Sequence, residues 1–594
     1  GRLKNDPSGQ LSQGEAILYS GSGSQQLAGA PLYGPWGRQS HMTIDPVDEC
    51  VFWYTNMYYD VTGENWQTRI GWFSFPECKG GGTTRISACL ANLQGNAASG
   101  MDFEMYSVAI SYWGRWAAFS SVATNMVPDD TNQRRDVFLC DRDTDQDGIY
   151  DEAGAVNTIR VSRGYMGSQA NGDSWEVSIS YDPLSIPNDG RYVAFSSDAS
   201  NLVASDPNGT RDIFVFDRVT NAIEKVSVAD ITGNPANALS DHPFISGNGS
   251  VIAFRSFANN LVPGDTNTRA DIFVHGRGTN RTFRVSIGPG VQGNGDSSTP
   301  TVSYDGNFVA FASSASNLVP GDGNGVMDVF VHNRSTGITS LISRTPGGIA
   351  GNADSYTPYI SGNARYVAFA SRASDLDPVV LDTPGSADIF VHDRLYNTTQ
   401  MVSISFLGSK ANRDSYSPSI SYNGRYVAFA SDADNLDVAL PDFNARRDVF
   451  LTDLGLVGIY AFGLTRRISI SYTGGEPNDW SFAPVVSGQG RYVAYVSEAT
   501  NLVPNDTNAW DVFAYDSQRS TPVFLSIPSN IPGSPGQQVL VPILFSRNGM
   551  SIDTTAFSVD FDQNCLVFDP VDGNRDGIPD HITFSLPGDF IRAA

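Results

Sequence analysis

Lysine is nearly missing from this sequence: only Lys4, Lys79, Lys225 and Lys410 occur in 594 residues, so arginine carries almost all of the positive charge. Against 38 Lys and Arg stand 63 Asp and Glu, a formal net charge of −25. The lack of a basic surface excludes nucleic acid, whose phosphates demand one, and equally an anionic membrane surface. Long hydrophobic runs are also missing. None approaches the roughly 20 residues of a membrane helix, so no membrane insertion is expected. Cysteine is sparse and odd in number, at Cys50, Cys78, Cys89, Cys140 and Cys565, and no Cys/His cluster has zinc spacing. Cys78 and Cys89 flank a Gly-rich turn and form one candidate local disulfide. No G-x-S-x-G nucleophile turn occurs, nor a helix-rich stretch to hold one. The chain begins at Gly1 rather than Met, with no signal peptide, as expected of a processed mature form or a fragment.

What is abundant points to β-structure. There are 58 Gly and 32 Pro, with 33 Phe, 24 Tyr and 9 Trp, and apolar residues make up 40%. That is enough for packed cores, with turns between short strands. One string recurs along the chain: Gly190-Arg191-Tyr192-Val193-Ala194-Phe195 returns with small changes at Trp116–Phe119, Val251–Phe254, Phe308–Phe311, Tyr366–Phe369, Tyr426–Phe429 and Tyr492–Tyr495. A worn copy stands at Cys50–Trp53. Successive anchors lie 57 to 76 residues apart. Each copy reads as four strands: a first containing Pro358–Ser361, a second carrying the recurrent string, a third at Asp388–Arg394 and a fourth at Thr399–Ile404. A four-stranded unit cannot bury both faces alone, whereas radial stacking does so. The expected fold is therefore all-β: an eight-bladed β-propeller over residues 41–527, with seven blades plus a divergent N-terminal element as the rival count, preceded by an extension over 1–40.

The strings "GRYVAFAS" and "DIFVHDR" resemble the TolB-like propeller repeat, a relative of WD repeats found in bacterial envelope proteins and in prolyl oligopeptidases. The resemblance covers most of the chain and implies the fold, while leaving function open because such propellers host many roles. The enzyme relatives add an α/β-hydrolase domain with a nucleophile turn that is missing here. After about Thr521 the pattern changes to sandwich-like alternation. Residues 528–594, with "PGQQVLVP" at Pro535–Pro542, resemble the first part of a cohesin-like β-sandwich. An incomplete sandwich would expose strand edges that template pairing with another chain.

The chemical signal is a spaced set of oxygens. Asp143, Asp145 and Asp147 precede Gly148, a backbone carbonyl at Ile149 and an acid at Asp151. The same spacing returns at Asp572, Asn574, Asp576, Ile578 and Asp580. Oxygens at alternate positions followed by a sharp glycine turn suit a Ca²⁺ loop, and both loops are expected to hold structural Ca²⁺. Two weaker acidic motifs recur per blade, as in Asp265, Asn267 and Asp271, or Asn294 and Asp296. They read as Asx turns and capping bonds, with a cation- or sugar-binding face as the alternative. His275, His332 and His392 share one strand position and are expected to be structural, because a catalytic base would not be copied three times. His242 stands alone in the sequence, and no catalytic residue is assigned. The expected function is a non-catalytic secreted or cell-surface structural protein, self-associating with neighbouring copies into a filament, tube or layer. The alternative is an extracellular binding module for a carbohydrate or protein partner, and the remaining reading is a polysaccharide-acting enzyme.

Overall fold

The computed structural model describes residues 82–517, short loop stretches excepted, and on either side of them only the backbone of isolated strands. Those residues build seven four-stranded antiparallel sheets. In the fifth, which shows the pattern most plainly, the strands are Ser355–Ile360, Tyr366–Ser371, Asp388–Asp393 and Thr398–Met401, hydrogen-bonded in sequence order. The β-branched and aromatic runs supply the strands, and Asn- and Gly-containing turns link them. The seventh sheet draws only three strands from its own repeat, ending at Asp511–Asp516. Its fourth is Thr83–Arg85, from the other end of the chain, with Thr84 opposite Ala514 and Arg85 opposite Phe513.

This closure corrects the count of eight blades to seven. The worn copy at Cys50–Trp53 contributes to Val51–Tyr58, the middle strand of a separate three-stranded sheet with His41–Ile44 and Gln67–Ser74. The chain divides into two compact units, 81–517 and the remainder, and this small sheet belongs to the second. Counting anchor strings could not tell a blade from a lone sheet, because ring closure is a long-range pairing. Among the described residues outside the ring, Gln538–Val539 and Val567–Val571 both pair antiparallel with His581–Ser585, and Leu525–Ser526 pairs with Leu544–Phe545; the rest of residues 528–594, on which the cohesin-like expectation falls, lies outside the described residues. No helix among the described residues is long and apolar enough to cross a membrane.

The hydrophobic core is distributed over seven clusters, each formed between two neighbouring blades. One cluster joins Phe119 and Phe138 of the first blade to Val496 and Val512 of the seventh, so the ring closes on the same packing that builds it. Within each blade two aromatic rings face each other across the second and third strands, from Phe119–Phe138 at 6.0 Å to Tyr495–Phe513 at 5.9 Å. Such pairs add to the area they bury, and truncating one to Ala typically costs about 3–5 kcal/mol.

The three repeated histidines are buried latches. Nδ1 of His275 lies 3.0 Å from Thr282 Oγ1, whose hydroxyl donates to Val228 O at 2.7 Å in the connection from the preceding blade. His332 and Thr339 repeat the arrangement onto Ile287 O, and in the sixth blade Thr452 and Thr465 perform it with two hydroxyls. Burial pushes His332 and His392 down from 6.5 to about 4. Their neutral forms therefore contribute stability that is present above pH 6.5 and lost as the pH falls toward 4. Buried carboxyls such as Asp136 and Asp511, pushed up to about 6 by desolvation, act in the opposite sense. Replacing His332 and His392 with Thr, the residue of the sixth blade, is expected to make the variant's loss of stability between pH 6.5 and 4 smaller than wild type's, by on the order of 1–3 kcal/mol per histidine. Urea denaturation at several pH values checks this difference.

Candidate functional site: the first-blade loop and the propeller axis

The predicted Ca²⁺ loop lies in the hairpin between Asp136–Asp141 and Asn157–Arg160, the third and fourth strands of the first blade rather than of a second. Its head assembles: one carboxylate oxygen from each of Asp143, Asp145 and Asp147 lies within 4.8 Å of the others. Asp143 is buried and accepts hydrogen bonds from the backbone N–H of Asp147 (3.2 Å) and Gly148 (3.3 Å). Gly148 adopts φ +88°, which a side chain would strain. The Ile149 side chain is exposed, and its N–H donates to Asp147 Oδ1 at 2.8 Å.

Asp151 has a different task. Its carboxylate takes two hydrogen bonds from Arg142, at 2.8 and 2.5 Å, and one from Thr84 Oγ1 at 2.5 Å. Arg142 is fully buried between the rings of Tyr150 and Tyr492, 5.3 and 4.9 Å from their centroids. Burial alone would lower the guanidinium's affinity for its proton, but the Asp151 charge beside it raises it. A buried cation requires a counter-ion, so the ninth loop position serves the fold, and through Thr84 it touches the strand that closes the ring. The second loop, Asp572, Asn574, Asp576, Ile578 and Asp580, lies outside the described residues.

The recurrent Asx motifs form internal hydrogen bonds. Asn267 Nδ2 donates to Asp271 Oδ2 (3.1 Å) and to Gly293 O (2.8 Å), and Asn294 exchanges bonds with Asn317 and Ser316 in the neighbouring loop. Asp271 is wholly buried and accepts from Ser286 Oγ at 2.5 Å. These residues tie loops together.

The axis of the ring carries a second pattern. After the innermost strand each blade has Ser followed by Tyr in the first, second, fourth and sixth blades (Tyr112, Tyr181, Tyr304, Tyr422) and by Gly in the third, fifth and seventh (Gly247, Gly362, Gly488). The four rings meet from different sides of the ring, with centroids 5.8 Å apart for Tyr112–Tyr422, 5.9 Å for Tyr304–Tyr422 and 6.0 Å for Tyr181–Tyr304. They converge on the axis and plug it at the end where the first and second strands turn. The glycines make room: a Cβ on Gly488 would stand 2.1 Å from the Tyr112 ring, and one on Gly362 2.2 Å from Tyr422. A cavity of about 60 Å³ adjoins the plug, lined by Tyr181, Tyr422, Phe244, Tyr359 and aliphatic residues of the inner strands.

The alternation also sets backbone bonds between blades. Tyr181 N donates to Gly247 O (2.9 Å), Tyr304 N to Gly362 O (3.0 Å) and Tyr422 N to Gly488 O (2.9 Å). Seven is odd, so two tyrosine blades must adjoin, and at that seam Tyr112 N finds no glycine carbonyl. The carboxylate of Asp189, from a longer turn in the second blade, accepts from Tyr112 N at 2.9 Å and Trp113 N at 3.2 Å instead. Burial pushes Asp189 up to about 6, against the hydrogen bonds from Ser111 and these N–H groups.

Toward the other end of the inner strands the repeat itself is broken. Blades two to seven carry a β-bulge there, and its residue is left-handed each time, with φ of 47° to 52° at Glu176, His242, Thr299, Thr357, Ser417 and Ala483. Only the second and third blades place ionisable groups in this position. Glu176 Oε2 accepts from the His242 N–H at 2.9 Å and from Ser196 Oγ at 2.7 Å, while His242 Nδ1 lies 3.0 Å from Asp241 Oδ1. Arg255, opposite Asp241 in the sheet, holds that carboxylate with two bonds of 2.7 and 2.5 Å. Burial would raise Asp241, but Arg255 and His242 bring it down to about 2. The hydroxyls of Thr299 and Thr357 at the same position are buried without a partner. His242 is therefore not isolated. The available signal was its register: aligned on the recurrent Ser two residues before, Glu176 and His242 share a column with Thr, Ser and Ala.

The chain matches no protein-family model and no curated protein. Solved structures similar to it include TolB from Acinetobacter baumannii, at 12% identity over 70% of this chain and 76% of that one, with a TM-score of 0.31. An oligogalacturonate lyase from Vibrio parahaemolyticus shows 10% identity over 73% and 93% of the two chains, with a TM-score of 0.41. A prolyl endopeptidase shows 11% identity over 74% and 52%, with a TM-score of 0.39. Likenesses this remote bear on neither activity nor substrate, and the propeller assignment rests on the strand pairing above.

The plug makes a packing prediction. Gly488→Ala is expected to destabilise the protein by about 1–3 kcal/mol through overpacking, and Tyr112→Ala in the same chain to relieve part of that cost. Gly278→Ala, where a Cβ meets nothing within 4 Å, is the near-neutral control. Denaturant melts of the four proteins check the ordering.

Proposed function

We propose that this protein is a non-catalytic, secreted or cell-surface scaffold that self-associates through its propeller, with structural Ca²⁺ held at Asp143, Asp145 and Asp147. One observation carries the reading. The hairpins that run from the fourth strand of one blade to the first of the next place large apolar side chains in water at their tips: Met166 is 91% exposed, Ile231 78% and Ile349 67%. Val291 and Tyr472 repeat the feature at the corresponding turns. A solvated turn gains nothing from such residues singly, but their recurrence around one rim is the composition of a docking surface. A second copy is the favoured occupant because a rim repeated around the ring offers equivalent contacts to identical neighbours. At −25 net charge, apposing two copies is electrostatically costly, which makes divalent cations natural partners of assembly.

The non-catalytic reading is supported by what surrounds the reactive groups. Asp241 is occupied by Arg255, and the described free thiol, Cys140, is buried and pushed up to about 12. A second reading, a binding module for a carbohydrate or protein, is favoured by the Thr299 and Thr357 hydroxyls, unpartnered among the described residues at the register position that Glu176 and His242 hold in the second and third blades.

Sedimentation velocity over a hundredfold concentration range tests the first reading. Wild type in Ca²⁺ is expected to form large species that dissociate in chelator. Replacing Met166, Ile231 and Ile349 together with Ser is expected to weaken association at least about tenfold, some 1.4 kcal/mol, with the melting temperature unchanged. Monomers at every concentration, with and without Ca²⁺, would turn the assignment to the binding module, which a glycan array with wild type and Glu176→Gln then probes.

A further inference from the structure

Every blade buries two aspartates at the same two places, one in the loop after the second strand and one at the first residue of the third strand. In six blades a side-chain cation stands between them. Arg160 reaches Asp130 at 3.0 Å and Asp136 at 3.5 Å, and Lys225 reaches Asp206 at 2.7 Å and Asp212 at 2.6 Å. Arg284 lies 3.0 Å from Asp265 and 3.3 Å from Asp271, and Arg467 lies 3.7 Å from Asp442 and 3.2 Å from Asp448. In the seventh blade Arg85 lies 3.7 Å from both Asp506 and Asp511. These five cations share one register position, the fourth-strand residue opposite the third-strand Phe. The fifth blade has Met401 at that position, opposite Phe390, and there Lys410 enters from the following loop, 2.7 Å from Asp382 and 3.5 Å from Asp388. When the strand supplies no cation, another element does.

The fourth blade supplies none. Leu341 holds the strand position, opposite Phe330, and Ala350 stands where the fifth blade has Lys410. Yet both carboxylates remain. Asp328 is wholly buried, accepting bonds from Asn324 Nδ2 (2.7 Å) and Ser343 Oγ (2.6 Å), and Asp322 is 9% exposed. The Asp322 side chain has no hydrogen-bond or ion-pair partner among the described residues, and its charge acts on Asp328. Burial pushes Asp328 up to about 6, with Asp322 and Asp354 adding to the shift. Two buried like charges without a counter-ion are strongly unfavourable.

We propose that a divalent, oxygen-seeking metal cation binds between Asp322 and Asp328, taking the place that arginine or lysine fills in the other six blades. Two carboxylates match the charge of such an ion, and hard oxygen donors suit Ca²⁺. The site is separate from the first-blade loop and does not rest on the reading of that loop or on self-association.

The test counts ions on the full chain by equilibrium dialysis against radioactive Ca²⁺. Leu341→Arg, which imports the guanidinium of the other blades, is expected to bind one equivalent fewer than wild type. It is also expected to melt higher than wild type in chelator, because the carboxylates then have an internal partner. Asp322→Asn is expected to lose the same equivalent without restoring a cation, and serves as the second variant should Leu341→Arg not fold. Asp145→Asn, in the first-blade loop, leaves this equivalent in place, so the two sites are told apart. Unchanged ion counts in Leu341→Arg and Asp322→Asn, or no Ca²⁺ bound by wild type, would overturn the proposal and leave the pair sharing a proton.

Discussion

Three residues hold the ring shut. Thr83–Arg85 complete the seventh blade's sheet, and with them Phe513, Ala514 and Tyr515 are paired on both edges. An open array would end in an unpaired strand and an uncovered apolar face. Closure removes both, since the cluster containing Phe119 and Val512 is the same kind of wedge as the six others. The closing strand also carries side-chain chemistry: Arg85 is the cation for Asp506 and Asp511, and Thr84 bonds Asp151, the partner of the buried Arg142. The acidic hairpin of the first blade is thus tied to the seam, which gives its Asp143, Asp145 and Asp147 head a fixed base.

The axis shows what an odd ring does to an even pattern. Tyr and Gly alternate after the inner strands, and the N–H groups of Tyr181, Tyr304 and Tyr422 each find a Gly carbonyl in the next blade. A period of two cannot close on seven, so one junction must differ. At that junction between the first two blades Asp189 supplies its carboxylate to two backbone N–H groups. The cost is a buried acid that resists ionisation, and the gain is an acceptor for both backbone N–H groups at the irregular point.

Departures from the repeat divide into two kinds. Some are repaired from inside the chain: Lys410 substitutes for the cation lost at Met401, and Arg255 pairs the Asp241 that stands where the second, fifth, sixth and seventh blades have an aromatic residue. Others are not. Among the described residues Asp322, itself 9% exposed, has no internal partner, and the buried hydroxyls of Thr299 and Thr357 have none. Each buried polar group left unpaired carries a desolvation cost that a paired one does not.

The sequence alone determined the all-β class, the four-strand repeat, its strand identities and the structural nature of His275, His332 and His392, because these depend on local periodicity and on recurrence between copies. It also marked Asp143, Asp145 and Asp147 as a group, since alternate spacing in one loop brings them together by chain geometry. The tertiary structure alone decided the blade count, because pairing Thr84 with Ala514 spans nearly the whole ring. It alone assigned Asp151 to Arg142 and Glu176 to His242, contacts whose partners come from burial and from a neighbouring blade. The missing side-chain cation beside Asp322 and Asp328 stood in the sequence as Leu341 and Ala350, and became legible only when strand register showed which residues face the aspartate pair in the other six blades. Side chains adjacent in space but distant in sequence leave no local period, and in this protein those contacts settle charge, closure and the axis.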